Sequence, residues 1–319
     1  MEKKKKVDPP LKSILRVKHQ NPFSRLATNG DPLSTNIDIT SIYSNIQIYQ
    51  PKARSVKQYS YEEEKNSQYR NKMEDFQKIV DKFNKDPNKA YFSLFDGHGG
   101  TEIVEFAKER IYTLFHNHYN ETSDVKKSLI YSFEECDKEL RKMTKNNDLK
   151  MSNMGTTATV IFITKENDLL LGIKKVIYCA NVGDTRCVLI SNSGCKRLSH
   201  DHKCNDDIES NRIKKKGGNI INDRVQGKLT LTRALGDFSL KNFGVIATPF
   251  INRVDLSDND KFVILCSDGV WDVLNEEDLF YDCFKYGNTA KELAEHIVKE
   301  SLRKGATDNI SCLVIMGNH

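Results

Sequence analysis

Along this chain, short runs in which apolar residues alternate or crowd together give way twice to apolar residues spaced three and four apart. Residues 76–80 and 90–95 fit the first pattern and predict two strands, joined by a turn at 84–88 that contains Asp86-Pro87. Over residues 102–118, Ile103, Phe106, Ala107, Ile111, Leu114 and Phe115 fall on one face of a helix. Over 124–143, Val125, Leu129, Phe133, Cys136 and Leu140 do the same. β-Rich stretches follow at 156–164, 175–180, 186–191 and 261–266, helical ones at 206–216 and 289–303, and a closing strand at 310–316. Without regular βαβ alternation, this order predicts an α+β fold with antiparallel sheets rather than a doubly wound parallel one. No internal repeat of solenoid period interrupts it.

The 319 residues suffice for one large domain and a tail. Residues 1–45 mix Lys, Pro, Asn, Ser and Thr without sustained periodicity, which predicts a basic, disordered N-terminal tail. Residues 46–319 are the expected folded body, with regular structure starting near Ser55. The formal net charge is +5, yet residues 1–30 carry eight Lys/Arg against two Asp/Glu, so the body is close to neutral. That distribution argues against a nucleic-acid-binding domain, whose charge sits on a folded face. Lys3 to Lys6 read either as part of a solvated tail or as a nuclear-import or anionic-membrane signal. No apolar stretch approaches the roughly 20 residues of a membrane span, no apolar signal-peptide block follows the N-terminus, and Glu2 excludes N-myristoylation. An intracellular protein, cytoplasmic or nuclear and without stable membrane insertion, is expected. The eight cysteines are scattered without a C-x-x-C pair, several inside apolar runs, and are expected to be buried thiols rather than zinc ligands or disulfides.

Three apolar strands end in the same way. Tyr91 to Phe95 runs into Asp96-Gly97-His98-Gly99-Gly100, Phe262 to Cys266 into Ser267-Asp268-Gly269, and Val176 to Ala180 into Asn181-Val182-Gly183-Asp184. A single Asp-Gly after a strand is ordinarily a turn, because Asp bonds its own backbone and Gly takes positive φ. Three such endings, with Glu74-Asp75 and Asp308-Asn309 beside other strands, point to carboxylates gathered in one place. Such a gathering is unfavourable unless a multivalent cation is present.

The candidate donors are nearly all oxygen, with no His/Cys cluster at zinc spacing, so the expected cation is hard: Mg²⁺ or Mn²⁺, with waters completing an octahedron. Gly97 lets the backbone approach closely, which makes its carbonyl a further candidate ligand. Two ions about 4 Å apart can share a bridging hydroxide and neutralise phosphoryl oxygens, which suits phosphoester hydrolysis. That reaction also needs a fixed cation for the phosphoryl group, and Arg70, four residues before Glu74, offers a bidentate guanidinium. For the proton on the leaving oxygen the candidate is His98, set between glycines two residues beyond Asp96; elsewhere a lone histidine is more often structural.

These motifs form an ordered set. Arg70-Asn71-Lys72-Met73-Glu74-Asp75, Asp96-Gly97-His98-Gly99-Gly100, Gly155-Thr156-Thr157-Ala158, Gly183-Asp184-Thr185-Arg186 and Asp201-His202-Lys203 come first. Thr232-Arg233-Ala234-Leu235-Gly236-Asp237, Ser267-Asp268-Gly269-Val270-Trp271-Asp272 and Asp308-Asn309 complete it. Together they closely resemble the PPM family of metal-dependent protein phosphatases, type 2C, in that family's order from about residue 55 to residue 316. The resemblance implies a four-layer α-β-β-α sandwich of two antiparallel sheets flanked by helix pairs, with the metal site at one end between the sheets. It also implies an enzyme that hydrolyses phosphoserine and phosphothreonine in phosphoproteins by attack of a metal-bridging hydroxide, using two Mg²⁺ or Mn²⁺ ions; a monomer is expected. By motif, Asp96 would bridge both ions, the Gly97 carbonyl would bind one, and Asp268 and Asp308 the other. Glu74 and Asp75 would act at least partly through metal-bound waters. Arg70 would hold the phosphoryl group and His98 would be the general acid. A weaker third ion would involve Asp184, Asp268 and Asp272. Residues 204–222 would form a flap beside the cleft, where Arg224 would help bind substrate.

Two departures from the family pattern fall in the flap. Cys204 stands where proline is common, and Gln226 replaces the usual Asn after Arg224-Val225; neither touches the metal set. A catalytically inactive pseudophosphatase serving as an adaptor predicts loss of a metal carboxylate or of Arg70, and all are present. A phosphatase of small molecules or nucleotides is the other alternative, but nothing resembles a P-loop or a base-stacking platform.

Overall fold

The computed structural model describes residues 55–144, 150–168 and 172–317; the expected tail at 1–45 lies outside the described residues. In chain order the elements are β1 (Gln58–Glu64), β2 (Asp75–Asp81), β3 (Ala90–His98), α1 (Glu102–Thr122), α2 (Val125–Met143), β4 (Gly155–Thr156) and β5 (Ala158–Asp168). Then come β6 (Gly172–Val182), β7 (Arg186–Ser191), β8 (Gly194–Arg197), α3 (Asp207–Lys215), and three two-residue strands, β9 (Ile220–Ile221), β10 (Arg224–Val225) and β11 (Leu235–Gly236). The chain continues through β12 (Phe250–Asp255), β13 (Asp260–Cys266), the one-turn α4 (Asp268–Trp271), α5 (Glu276–Tyr286), α6 (Ala290–Arg303) and β14 (Ile310–Met316). Each strand and helix expected from the sequence is present, although the stretch at 156–164 is broken at Thr157 into β4 and β5. β1, β8, β12, α5, the one-turn α4 and the two-residue strands β9, β10 and β11 are additions.

The strands pair antiparallel in two main sheets. One runs β1-β14-β13-β7-β8; the other runs β11-β4-β3-β5-β6-β12, with β2 also paired to β3. Side-chain alternation in the central strands explains why their sequences read as continuous apolar runs. Tyr91 and Phe95 of β3, Val160 and Phe162 of β5, and Val176, Tyr178 and Ala180 of β6 face one cluster, shared with α1 and α2. The intervening Ala90, Phe92, Leu94, Ile161, Ile163, Ile177 and Cys179 face a second cluster, shared with Leu189, Val263, Leu265, Leu313 and Ile315 of the opposite sheet. The other face of that sheet, through Ile264, Cys266, Cys312 and Val314, packs on Leu279 of α5 and Leu293, Ala294 and Ile297 of α6. Three apolar interfaces therefore separate four layers, α-β-β-α, and strands buried on both faces need apolar residues at every position.

The helices end where local chemistry dictates. Ser123 takes a left-handed φ of 56° and its N–H bonds Tyr119 O to close α1; Asp124 then caps α2 by accepting the Lys127 N–H at 2.9 Å. A two-residue link makes α1 and α2 antiparallel neighbours on one sheet. Asn275 and Asp278 form a reciprocal capping box at the start of α5, and Thr289 caps α6.

Phe83 is fully buried and meets the rings of Tyr112, Phe115, Tyr119 and Phe162, so it pins the turn between β2 and β3 to α1. Phe83→Ala is expected to lower unfolding free energy by about 3–5 kcal/mol in urea titration, from lost transfer energy plus the cavity left among these rings and that of His116. A change below about 1 kcal/mol would show that this aromatic cluster does not hold the layer together.

Candidate active site

Antiparallel pairing brings the predicted carboxylates to one end of the sandwich. Asp75 opens β2 directly opposite Asp96 near the end of β3, so the two side chains share a face. Alternation along β3 puts Asp96 on the same side as Phe92 and Leu94, toward the other sheet. Gly183, Asp184 and Thr185 carry the chain from the end of β6 in one sheet to the start of β7 in the other. Asp268 is the first residue of α4, just past β13, and Asp308 lies just before β14. Cys266 and Cys312 are cross-strand partners, which places those two carboxylates at the same sheet end.

Backbone clamps fix these positions. The Asp96 N–H donates to Thr157 Oγ1 at 3.0 Å and the Thr157 N–H to Asp96 O at 2.9 Å, while the hydroxyls of Thr157 and Thr185 meet at 2.6 Å. Asn309 accepts the Glu74 N–H at 2.9 Å and donates to Lys65 O and Lys72 O at 2.7 and 3.0 Å, which ties the loop bearing Arg70 and Glu74 to the start of β14. Arg70 Nη2 pairs with Asp308 Oδ2, and its Nε approaches Thr307 O at 3.4 Å.

The electrostatics are those of crowded anions. Asp75 is buried, and its carboxyl is pushed up to about 7, first by burial, against hydrogen bonds from Ser267 and Ser311 that lower it, with Asp308 and Glu63 raising it further. Asp96 and Asp268, half-buried at the cleft floor, are both raised well above the ordinary carboxylate range. For Asp96 the causes after burial are the charges of Asp268, Asp75, Asp184 and Asp308; for Asp268 they are Asp184, Asp308, Asp272 and Asp75. Asp75 Oδ2 is buried with no hydrogen-bond partner among the described residues. An all-oxygen donor set holding an unpartnered buried oxygen and mutually repelling carboxylates fits a hard divalent cation. Among the described residues no three His, Cys, Asp or Glu side chains are drawn in tightly enough to grip an ion as they stand, so the fit is one of donor type and place.

Cations built into the chain answer part of this charge. Lys203 Nζ lies 3.1 Å from Asp184 Oδ2. Burial alone would lower its pKa, but Asp184, with Asp272 and Asp268 in the same field, raises it. Lys203 thus stands among the residues expected to share a third ion, of which Asp184 is buried and Asp272 exposed. His98 is half-buried, and its Nε2 meets Asp237 Oδ1 and Oδ2 at 2.9 and 3.0 Å. Burial opposes the imidazolium, yet Asp237 outweighs it and holds the pKa above the ordinary value.

The flap is fastened by one buried carboxylate. Glu209 of α3 accepts from Arg233 Nη2 and Nε at 2.7 and 3.1 Å, Arg212 Nη2 at 2.6 Å and Thr232 Oγ1 at 2.8 Å. Burial would raise its pKa, but these bonds hold it far below the usual range. Arg224 is exposed and donates from Nη1 to Lys228 O at 2.8 Å, within its own hairpin. Lys228 lines a cavity of about 300 Å³ beside His98 and Asp237, with Leu229 and Ser239. Asp237, Lys203 and Asn309 were visible in the sequence as motif members without a role. Nothing in the sequence around Glu209 or Lys228 separated them from ordinary surface charges.

A carboxyl whose pKa is higher folded than unfolded binds more protons in the folded chain between the two values, so folding is favoured as pH falls through that window. For Asp75 the window runs from about 4 to about 7. His202 has the opposite sign: buried, and next to Arg233, it is pushed down to about 3, so its contribution is lost as pH falls below its ordinary value. Comparing Asp75→Asn with the parent isolates the Asp75 proton. In divalent-free buffer Asp75→Asn is expected to be the more stable protein at pH 8, with the gap narrowing as pH falls below about 7 and closing at about pH 4 in urea titrations. A gap independent of pH would remove the buried-charge account of this position.

A family model described as protein phosphatase 2C matches residues 59–310. Protein phosphatase 2C homolog 1 of Saccharomyces cerevisiae is 34% identical over 263 residues, covering 79% of this chain and 91% of the relative. The protein of the same name in Schizosaccharomyces pombe is 32% identical over 256 residues, covering 79% of this chain and 71% of its own. Among solved structures, serine-threonine phosphatase 2C from Toxoplasma gondii superposes with a TM-score of 0.70 over 82% of this chain and 94% of its own, at 18% identity, a likeness of fold. With motifs, layers and relatives in agreement, the chain belongs to the protein phosphatase 2C family, the type 2C serine/threonine phosphatases.

Proposed function

We propose that this phosphatase is metal-dependent, with Asp96, the Gly97 carbonyl, Asp268 and Asp308 holding two Mg²⁺ or Mn²⁺ ions and Glu74 and Asp75 engaged at least partly through water. The observation that carries this reading is the gathering of Asp75, Asp96, Asp184, Asp268 and Asp308 at one sandwich end, each of the first four with a raised pKa or an unpartnered oxygen. Divalent ions bound there supply a nucleophile at neutral pH and neutralise charge on the phosphoryl oxygens. Arg70 already binds one anion, Asp308, and its role is to exchange that carboxylate for the phosphoryl group, which the same planar fork fits. His98 gives a proton to the alcohol oxygen as its bond to phosphorus breaks; the bonding electrons go to that oxygen and the imidazole is left neutral. A weaker third ion falls to Asp184, Asp268 and Asp272, in competition with Lys203. The substrates are phosphoserine and phosphothreonine in proteins, whose flanking chain meets the flap at Arg224 and at the cavity lined by Lys228.

The test is hydrolysis of a phosphothreonine peptide with Mn²⁺, with Mg²⁺ and with excess EDTA, alongside Asp96→Asn. Turnover is expected to require the metal and to fall at least about 100-fold in the variant, since a carboxylate that would hold the ions is weakened. Full activity in EDTA, or an active Asp96→Asn enzyme, would remove the metal assignment.

A further inference from the structure

The contact between His98 and Asp237 is built from several unusual local features at once. Asp237 is 139 residues from His98 in sequence and only 3% exposed, yet both its oxygens lie within 3.0 Å of Nε2. Its backbone is left-handed, with φ of 49°, a conformation that non-glycine residues adopt rarely and at a cost. That conformation is over-determined by its neighbours. The Asp237 N–H donates to Met154 O at 2.8 Å, the Gly236 N–H to Asp137 Oδ1 at 2.9 Å, and Lys241 Nζ reaches the same Asp137 oxygen at 2.9 Å.

Two glycines opposite each other in register, Gly155 and Gly236, make room for it. A Cβ on Gly155 would lie 2.1 Å from Asp237 Oδ2 and 2.7 Å from His98 Nε2; one on Gly236, at φ of 79°, would lie 2.5 Å from Met154 O. The glycine requirement at 155 is therefore set by the His98–Asp237 pair itself. A carboxylate held in this way accepts a hydrogen bond from Nε2–H, which leaves Nδ1 as the other, exchangeable position on the ring.

We propose that Asp237 is the positioning residue for His98: it holds Nε2–H, fixes the plane of the imidazole, and makes Nδ1 the nitrogen from which the proton passes to the leaving alcohol. This rests on His98 being the general acid. The proton leaves Nδ1 for the alcohol oxygen as the phosphorus–oxygen bond breaks, and Nε2–H stays on Asp237 throughout. Asp237 lines the same cavity as Lys228 but touches neither the metal nor the reacting atoms in this scheme, so an effect that depends on the leaving group has to run through His98.

Asp237→Asn keeps the size of the side chain and tolerates left-handed φ, so the fold is preserved. With saturating Mn²⁺, kcat is compared on a phosphothreonine peptide, whose alkoxide leaving group needs a proton, and on p-nitrophenyl phosphate, whose phenolate does not. The expected result is a loss of about 10- to 100-fold on the peptide and less than about 3-fold on the aryl ester. In a His98→Ala background the same substitution is expected to change peptide turnover less than about 2-fold, since its route of action is gone. An equal loss on both substrates, or the same loss with and without His98, overturns the proposal and leaves Asp237 a structural residue. His98→Ala losing equally on both substrates overturns the acid assignment and this proposal with it. A discriminating His98→Ala beside a non-discriminating Asp237→Asn overturns this proposal alone.

Discussion

Like charges held near one another out of bulk water raise each other's energy, and five aspartates meet in that way at one end of this sandwich. Their mutual repulsion works against folding, so the force that holds them has to come from elsewhere. It comes from the layer between the sheets, where Phe92, Leu94, Ile161, Ile163, Ile177, Leu265, Leu313 and Ile315 exclude water almost completely. The strands that bury these side chains cannot stop short, because the next residue along each is anchored by the ladder. Asp96 is carried to its place by Phe92 and Leu94, and Asp268 by Val263 and Leu265. Polar clamps then take up the remaining slack: Thr157 on the Asp96 backbone, and Asn309 on the loop that bears Glu74.

How much of this was legible in the sequence depends on whether the signal was local. Apolar runs ending in Asp-Gly announced the carboxylates, because strand burial and turn chemistry are both read from adjacent residues. β1, with Gln58, Ser60 and three glutamates among seven residues, carried no such pattern; it is an edge strand, and its assignment comes from β14 alongside it. α5 did carry a start signal, Asn275 with Asp278, but its face is narrow, and Tyr281 and Phe284 point outward. Thr157 interrupts what looked like one strand because its backbone and hydroxyl both serve Asp96. The family's motifs located Asp237 and Lys203 without saying what they touch, since each contact spans a fold that no local pattern encodes.

Glu209 illustrates the opposite limit. On a helical wheel it is one more charge on α3, yet in the fold it is buried and gathers two arginines and a threonine. Removing a single partner from such a hub leaves the others desolvated and unpaired, so its members are bound to one another more tightly than pairwise counting suggests. The hub also joins α3 to the segment running from Thr232 to Asp237. The outer wall of the cleft and the carboxylate behind His98 therefore share one anchor, and the flap is fastened at its base while the tip of its hairpin, Ile221 to Arg224, stays exposed.

Lys203 adds a different kind of asymmetry. Its ammonium, 3.1 Å from Asp184, is a cation on a tether, present at fixed effective concentration whatever the surrounding solution contains. Chelators act on freely exchanging charge, and they do not remove this one. The chain thus neutralises two corners of the acidic cleft itself, Asp184 by Lys203 and Asp308 by Arg70, and under the proposed metal dependence the supply of divalent ions would bear first on Asp96 and Asp268.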